Sequence, residues 1–444
     1  TRKERLYIEA AHARTVEQDA EKELRLVKQL VRDYPGEKRA HHRLAGYHRA
    51  EGRMYQAIEE YNRVLDLDPQ YGWALNELGY MYTDVGEYER AAEYFERYAA
   101  VCPGDANPID SMGELCFRMG RLDEAIARYR QALDLKPNFY YAYWEIAYVS
   151  ALKEEYAEAL RWIDMFIDQA PSFGTTIEGH RWRCFYRYWL GRYDDALSDA
   201  ELINELASEE RSALWAVEAN RLRGWIHFDR RDLERSRACF QECLEAVGRS
   251  PREFLPAPTS YSSGSLEQVR VVEAAYRFAL CLVDLREGKV EAAARGAAGL
   301  EDLVPSYSAL LSAEVLLAEG QLERAITTCE NATSWRTPYM SDTEGMLSYN
   351  LPSLRDTLAR AYEKAGEFYR AIAEYERLLT VELTNQDRRL AHPRYRYRLA
   401  RLYESKGWLE RARDEYRQFL DLWSDAQGEM PEVGEARARI AELD

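Results

Sequence analysis

"ALNELGYMYTDVGEYERAAEYFERY", from Ala74 to Tyr98, sets glycine at 79 and 86, alanine at 91 and phenylalanine at 95. A constant 34 residues later the same places hold Gly113, Gly120, Ala125 and Tyr129. Prolines at 35, 69, 103, 137 and 171 keep the same step of 34. A fixed period of this size is the mark of a solenoid built from one repeated unit. Between the prolines, apolar residues recur at three- and four-residue spacing, which predicts helices.

With each unit's proline numbered 32, position 15 is Gly52, Gly86 and Gly120, and position 20 is Ala57, Ala91, Ala125 and Ala159. Position 24 is Tyr61, Phe95, Tyr129 and Ile163; position 8 is Ala45, Gly79, Gly113 and Ala147. Glycine at 15 can take the left-handed conformation that ends a first helix. Small residues at 8 and 20 let two antiparallel helices approach closely, and the bulky residue at 24 fills the space between neighbouring pairs. Proline stops the second helix.

The pattern resembles the tetratricopeptide repeat, 34 residues of helix–turn–helix. The third unit matches at Leu78, Gly79, Tyr82, Gly86, Ala91, Phe95 and Pro103. Looser units follow at Gly191/Ala196, Gly224/Phe240, Gly288/Ala293, Gly320/Ala325, Gly366/Ala371 and Gly407/Ala412. In the seventh, Ser236 replaces the alanine and Arg231 the glycine. In the first, Glu23 stands where alanine is expected, which suits a capping unit. The expected fold is an all-α right-handed solenoid of about eleven helix pairs, ending in a capping helix over Glu432 to Leu443.

Three stretches interrupt the array: Gly248 to Ser265, rich in Pro, Ser and Gly; Asn331 to Asn350; and Thr384 to Pro393. The first is the best boundary, giving an N-terminal array over 1–247, a loop over 248–266 and a C-terminal array over 267–444. Long insertions of this kind are either functional or disordered.

The chain's 444 residues are 46% hydrophobic and 31% charged, enough to bury a core and stay in solution. Net charge is −17, which argues against binding nucleic acid by phosphate neutralisation. Seven cysteines are too few and odd in number for a disulfide framework, so a reducing, cytoplasmic setting is expected, with an extracytoplasmic one left open. No apolar run reaches bilayer length, Ala309 to Ala318 being broken by Glu314, so no membrane insertion is expected. The chain starts at Thr1 rather than Met and reads as a fragment or processed product.

Active-site motifs are missing: no GxxxxGK[ST], GxSxG, HExxH or CxxC occurs. Cys239 and Cys243 share a helix face, but with no histidine nearby they read as packing residues rather than zinc ligands. His41 and His48 fall at core positions 4 and 11, and His42 points elsewhere. Asn331-Ala-Thr333 is a glycosylation acceptor pattern that also arises by chance. The expectation is therefore a protein without catalysis, metal or cofactor.

Positions 2, 5, 9 and 12 of each first helix form a separate stripe, which in the resembled family lines the concave surface. Here it carries Trp73 and Tyr80 in unit three, and Tyr141, Trp144 and Tyr148 in unit five. Arg181, Phe185 and Tyr188 follow in unit six, Arg221, Trp225 and Phe228 in unit seven, and Leu282 and Leu285 in unit eight. Tyr, Trp and Arg dominate binding hot spots, and exposed apolar surface marks interaction sites. The stripe therefore reads either as a groove for a protein or peptide segment or as rings packed within a tight superhelix. Units nine to eleven differ again, their stripe carrying Asp356, Arg360, Arg394 and Arg401, suited to a charged partner segment. Repeats that clamp chaperone C-termini place Lys and Asn where units two and three have His42, Gly46 and Glu77, so such a tail is not the expected partner. Both ends of the chain resemble repeat regions of bacterial multidomain signalling proteins with a kinase or winged-helix domain. That resemblance implies the interaction half of a signalling or regulatory protein. The competing structural role is head-to-tail self-assembly.

Overall fold

The computed structural model describes residues 1–250, 266–332, 354–380, 390–428 and 430–443. Most of the three sequence interruptions, and Thr333 of the glycosylation pattern, lie outside these residues. Among the described residues there are twenty-three α-helices, in eleven consecutive pairs with Pro431–Leu443 as a final helix. The fold is all-α, as the period requires.

One backbone feature recurs at the turn inside every pair. Gly52, Gly86, Gly120, Gly191, Gly288, Gly320, Gly366 and Gly407 have φ between 70° and 81°. Gln18, Glu154 and Arg231 take the same left-handed conformation without being glycine, at φ 54°, 62° and 62°. That conformation costs a non-glycine residue about 1–2 kcal/mol. At Glu154 the side chain makes the ion pair described below.

The small–large rule is a steric fact. A Cβ added to Gly79 would sit 2.4 Å from the Phe95 ring, one on Gly113 would sit 2.6 Å from the Tyr129 ring, and one on Gly224 would sit 2.7 Å from the Phe240 ring. The aromatic residue at 24 rests directly on the backbone at 8. Phe95, Tyr129 and Phe240 are buried as a result, and full burial of such a ring contributes about 1.5–3 kcal/mol. Ala57, Ala91, Ala125 and Ala159 are also fully buried.

Glu23 departs from its reading as a residue on a free capping face. It is buried, and its carboxylate accepts from Arg43 at 2.7 and 3.0 Å and from the Tyr47 hydroxyl at 2.6 Å. Unit one is thereby fastened to unit two by a charge-assisted network where other units use an alanine.

The chain forms two compact bodies, one over residues 1–149 and the other from residue 150 onward; the division falls inside the helix Tyr141–Leu152. In the C-terminal body the array closes on itself. The Trp189 indole N–H donates to the Ala391 carbonyl at 2.9 Å, and the Trp423 indole N–H donates to the Trp189 carbonyl at 2.8 Å. The Gln427 N–H donates to the Gly191 carbonyl at 2.9 Å. Its side-chain oxygen accepts from the Asp194 and Asp195 N–H groups at 2.8 and 3.2 Å. Arg396 clasps Glu154 with two bonds of 2.9 and 2.7 Å. Units five and six thus meet unit eleven.

Gly113→Ala should overpack the fourth helix pair against Tyr129 and cost about 1–3 kcal/mol. Urea titration followed by circular dichroism measures this; an unchanged midpoint would mean the rings do not rest on position 8.

Candidate functional site

In the N-terminal body the predicted aromatic residues split into two groups. Trp73 and Tyr141 are exposed, at 68% and 54%. Tyr80 is half-buried, its hydroxyl 3.1 Å from the Ser111 hydroxyl and its ring edge-on to Phe95. Trp144 stacks on Tyr148 with centroids 6.0 Å apart, and Tyr148 is buried with its edge toward Phe117. The exposed pair can meet a partner; Tyr148 is packing.

Close to this stripe lies a feature that composition concealed. Burial pushes the Asp110 carboxyl up to about 6, and it hydrogen-bonds Glu145. Burial, then the charge of Asp110, raises Glu145 much further. The two carboxyls form a coupled buried pair, both raised chiefly by burial.

In the C-terminal body, Phe185 is almost fully buried among Trp182, Tyr186 and Trp189. It presents no surface to a partner, so its place in the sequence-derived groove is filled by self-packing. Arg181 and Arg221 are both engaged by Glu218, at 3.5 Å and, with two bonds, at 2.7 and 2.6 Å; Arg181 also bonds Glu178. Through Glu218, Arg181 ties its helix to the next first helix, while the Arg221 pair lies within one helix.

Tyr188, Trp225 and Phe228 have a different setting. They line an open cavity of about 190 Å³ together with Asp229, Leu282, Leu285, Arg286, Glu314, Asp356, Arg360, His392, Arg394, Tyr395 and Arg398. Units six to eleven all contribute. Ring closure brings the aromatic stripe of units six and seven opposite the charged stripe of units ten and eleven, which the sequence presents as separate surfaces. Arg401 stays outside, exposed and within 4.0 Å of Glu435.

The charges on the cavity wall are mostly paired. Arg360 bonds Glu314 and reaches Asp356 at 2.9 Å, and Arg398 bonds the other oxygen of Asp356. Burial alone would raise the Asp356 carboxyl; the Arg398 and Arg360 guanidiniums outweigh it and hold it far below its ordinary range. Asp229 accepts from Tyr188 at 2.7 Å and lies 3.0 Å from Arg394. His392 accepts the Arg394 backbone N–H at 3.1 Å, and burial reinforced by the Arg394 charge lowers it to about 3. It is a neutral imidazole.

Sequence reading missed Asp229 and Arg286 because both sit at position 13, one residue beyond the stripe. It missed Glu314, Arg398 and His392 because their role depends on closure. Among the described residues no helix is long and apolar enough to cross a membrane. No group of three His, Cys, Asp or Glu side chains among them is placed to hold a metal ion.

A family model described as tetratricopeptide repeat matches residues 24–72, 56–106 and 357–426, and one described as TPR repeat matches 113–154. The chain carries tetratricopeptide repeats in both bodies. No curated protein matches it. Among solved structures, a tetratricopeptide repeat protein from Parabacteroides merdae is 19% identical, with 55% of this chain and 93% of that one covered, at a TM-score of 0.42. PilF of Pseudomonas aeruginosa is 18% identical over 45% of this chain and 89% of its own, at 0.36. MamA from Desulfovibrio magneticus is 19% identical over 37% and 98%, at 0.32.

Individual buried groups respond to acid in opposite directions. Asp110 rises from 3.8 to about 6, so this carboxyl holds more proton in the folded state than in the unfolded chain across that window. The stability it contributes is full below the lower value and declines as pH rises through the upper. His392 falls from 6.5 to about 3, and His180, by burial and then Arg183, to about 4. Their contribution is full above 6.5 and is lost on acidification. Asp110→Asn should therefore stabilise the N-terminal body near neutral pH by on the order of 1 kcal/mol and change little near pH 4. Thermal melts of both proteins across that range measure it; an equal effect at both ends would contradict the raised Asp110 carboxyl.

Proposed function

We propose that this chain is a protein-interaction scaffold that holds a segment of a partner protein against the cavity of its C-terminal body. The observation that carries the reading is the convergence of six repeat units on one open concavity whose wall combines aromatic, aliphatic and charged groups. Concave sites with a few placed polar groups are the usual seats of ligands. A volume of about 190 Å³ admits one or two side chains of an extended segment, not a folded element. The exposed Trp73 and Tyr141 offer the N-terminal body a second, shallower contact.

The cavity also holds groups with shifted pKa values, which is where catalysis is sought. Their directions favour binding. Asp229 and Asp356 are lowered, against burial, by facing arginines, which makes them poor bases. His392 is neutral with one ring nitrogen already accepting a backbone N–H. The resemblance of the chain's ends to repeat regions of bacterial signalling proteins supports placing this scaffold in a regulatory protein.

Panning a phage-displayed random dodecapeptide library on the full chain tests the reading. Selected peptides should bind the wild type, and Trp225→Ala should weaken them about tenfold or more, while Trp73→Ala leaves cavity binders unchanged. Peptides indifferent to Trp225→Ala would place recognition elsewhere.

A further inference from the structure

One guanidinium on the wall of this cavity stands apart from the ion pairs that hold the others. Four guanidiniums, Arg286, Arg360, Arg394 and Arg398, face three carboxylates, Asp229, Glu314 and Asp356. The carboxylates pair with the other three: Glu314 with Arg360, Asp356 with Arg360 and Arg398, and Asp229 with Arg394, which also lies 3.5 Å from Glu432 just outside the lining. The fourth guanidinium has none. Among the described residues Arg286 makes no ion pair within 4 Å; its contact is with the Phe228 ring, 4.8 Å from the centroid. Solvent reaches the side chain although the cavity walls surround it. That crowding lowers the guanidinium from its ordinary value, with Asp229 partly offsetting the loss of water.

A guanidinium with no ion pair within 4 Å, standing in an open cavity, is free to form a charge-assisted bond with an anion brought by a ligand. Guanidinium geometry suits a planar carboxylate, which it can bind through two parallel bonds. The surface beside Arg286 is apolar: Leu282, Leu285, Trp225 and Phe228 lie along the same wall. A free inorganic anion would leave that surface wet, whereas a peptide residue next to the acid would cover it.

Resting on the peptide-binding reading above, we propose that the cavity recognises an Asp or Glu side chain of the partner segment, paired with Arg286, with an adjacent aliphatic or aromatic residue on Trp225 and Leu282. Arg286 is then the specificity-determining residue of the site. The aromatic face of Phe228 holds the guanidinium in place before the ligand arrives, which lowers the cost of ordering it on binding.

The experiment is a binding cycle with the strongest library peptide that Trp225→Ala weakens. Its acidic residues are changed one at a time to the amide, and each peptide is titrated by fluorescence anisotropy into wild type, Arg286→Gln and Arg286→Lys. All three proteins are checked for unchanged melting. The proposal predicts that one acid-to-amide change and Arg286→Gln each weaken binding about tenfold, that the two together weaken it no further, and that Arg286→Lys recovers part of the loss. Selected peptides lacking any acid, or an Arg286→Gln protein that binds as the wild type does, would overturn the proposal while leaving the cavity as the peptide site. If no peptide depends on Trp225, the cavity reading fails and this inference with it.

Discussion

The C-terminal body rests on two indoles that hydrogen-bond across the array. Trp189 and Trp423 are both fully buried, and each donates its N–H to a backbone carbonyl on the other side of the closure. A buried indole without an acceptor costs about 1–3 kcal/mol, so each tryptophan is satisfied only if the ring is shut. Around them the Arg396–Glu154 and Arg394–Asp229 pairs add charge to the same seam. Solenoid units normally contact only their neighbours. Here contacts that join residues more than 200 apart in sequence turn an open array into a body with an inside.

Most of the architecture was legible in the sequence because its causes are local. A ring at position 24 needs a missing Cβ at position 8, and a left-handed turn at 15 favours glycine; both leave marks on single residues. Even the exceptions carry information. Stepping 34 residues from Gly120 lands on Glu154 rather than another glycine. The structure explains the side chain kept there against backbone preference, because its carboxylate is held by Arg396. Arg231 bears the same strain, and nothing in the structure explains it.

The candidate site was only half legible. Stripe positions 9 and 12 do reach the cavity at Tyr188, Trp225, Phe228, Leu282 and Leu285. The pattern could not distinguish Phe185, on the same stripe but sealed by Trp182 and Trp189, since that depends on how far the superhelix tightens. Nor could it reveal that Asp356, Arg360 and Arg394 face the aromatic units, because the encounter is set by long-range closure. Charge behaved similarly. A chain at −17 overall still gathers four guanidiniums on the wall of one cavity, since net charge says nothing about which side chains converge.

The central claim is that closure, and it can be tested without knowing any partner. Gln427 contacts the backbone of Asp194, 233 residues away. With Asp194→Cys and Gln427→Cys combined, mild oxidation should give an intramolecular disulfide, seen by peptide mass mapping and faster migration on a non-reducing gel, while neither single variant forms it. A double variant that stays reduced, or that links only between molecules, would show that units six and eleven do not meet and that the aromatic and charged stripes do not share a cavity.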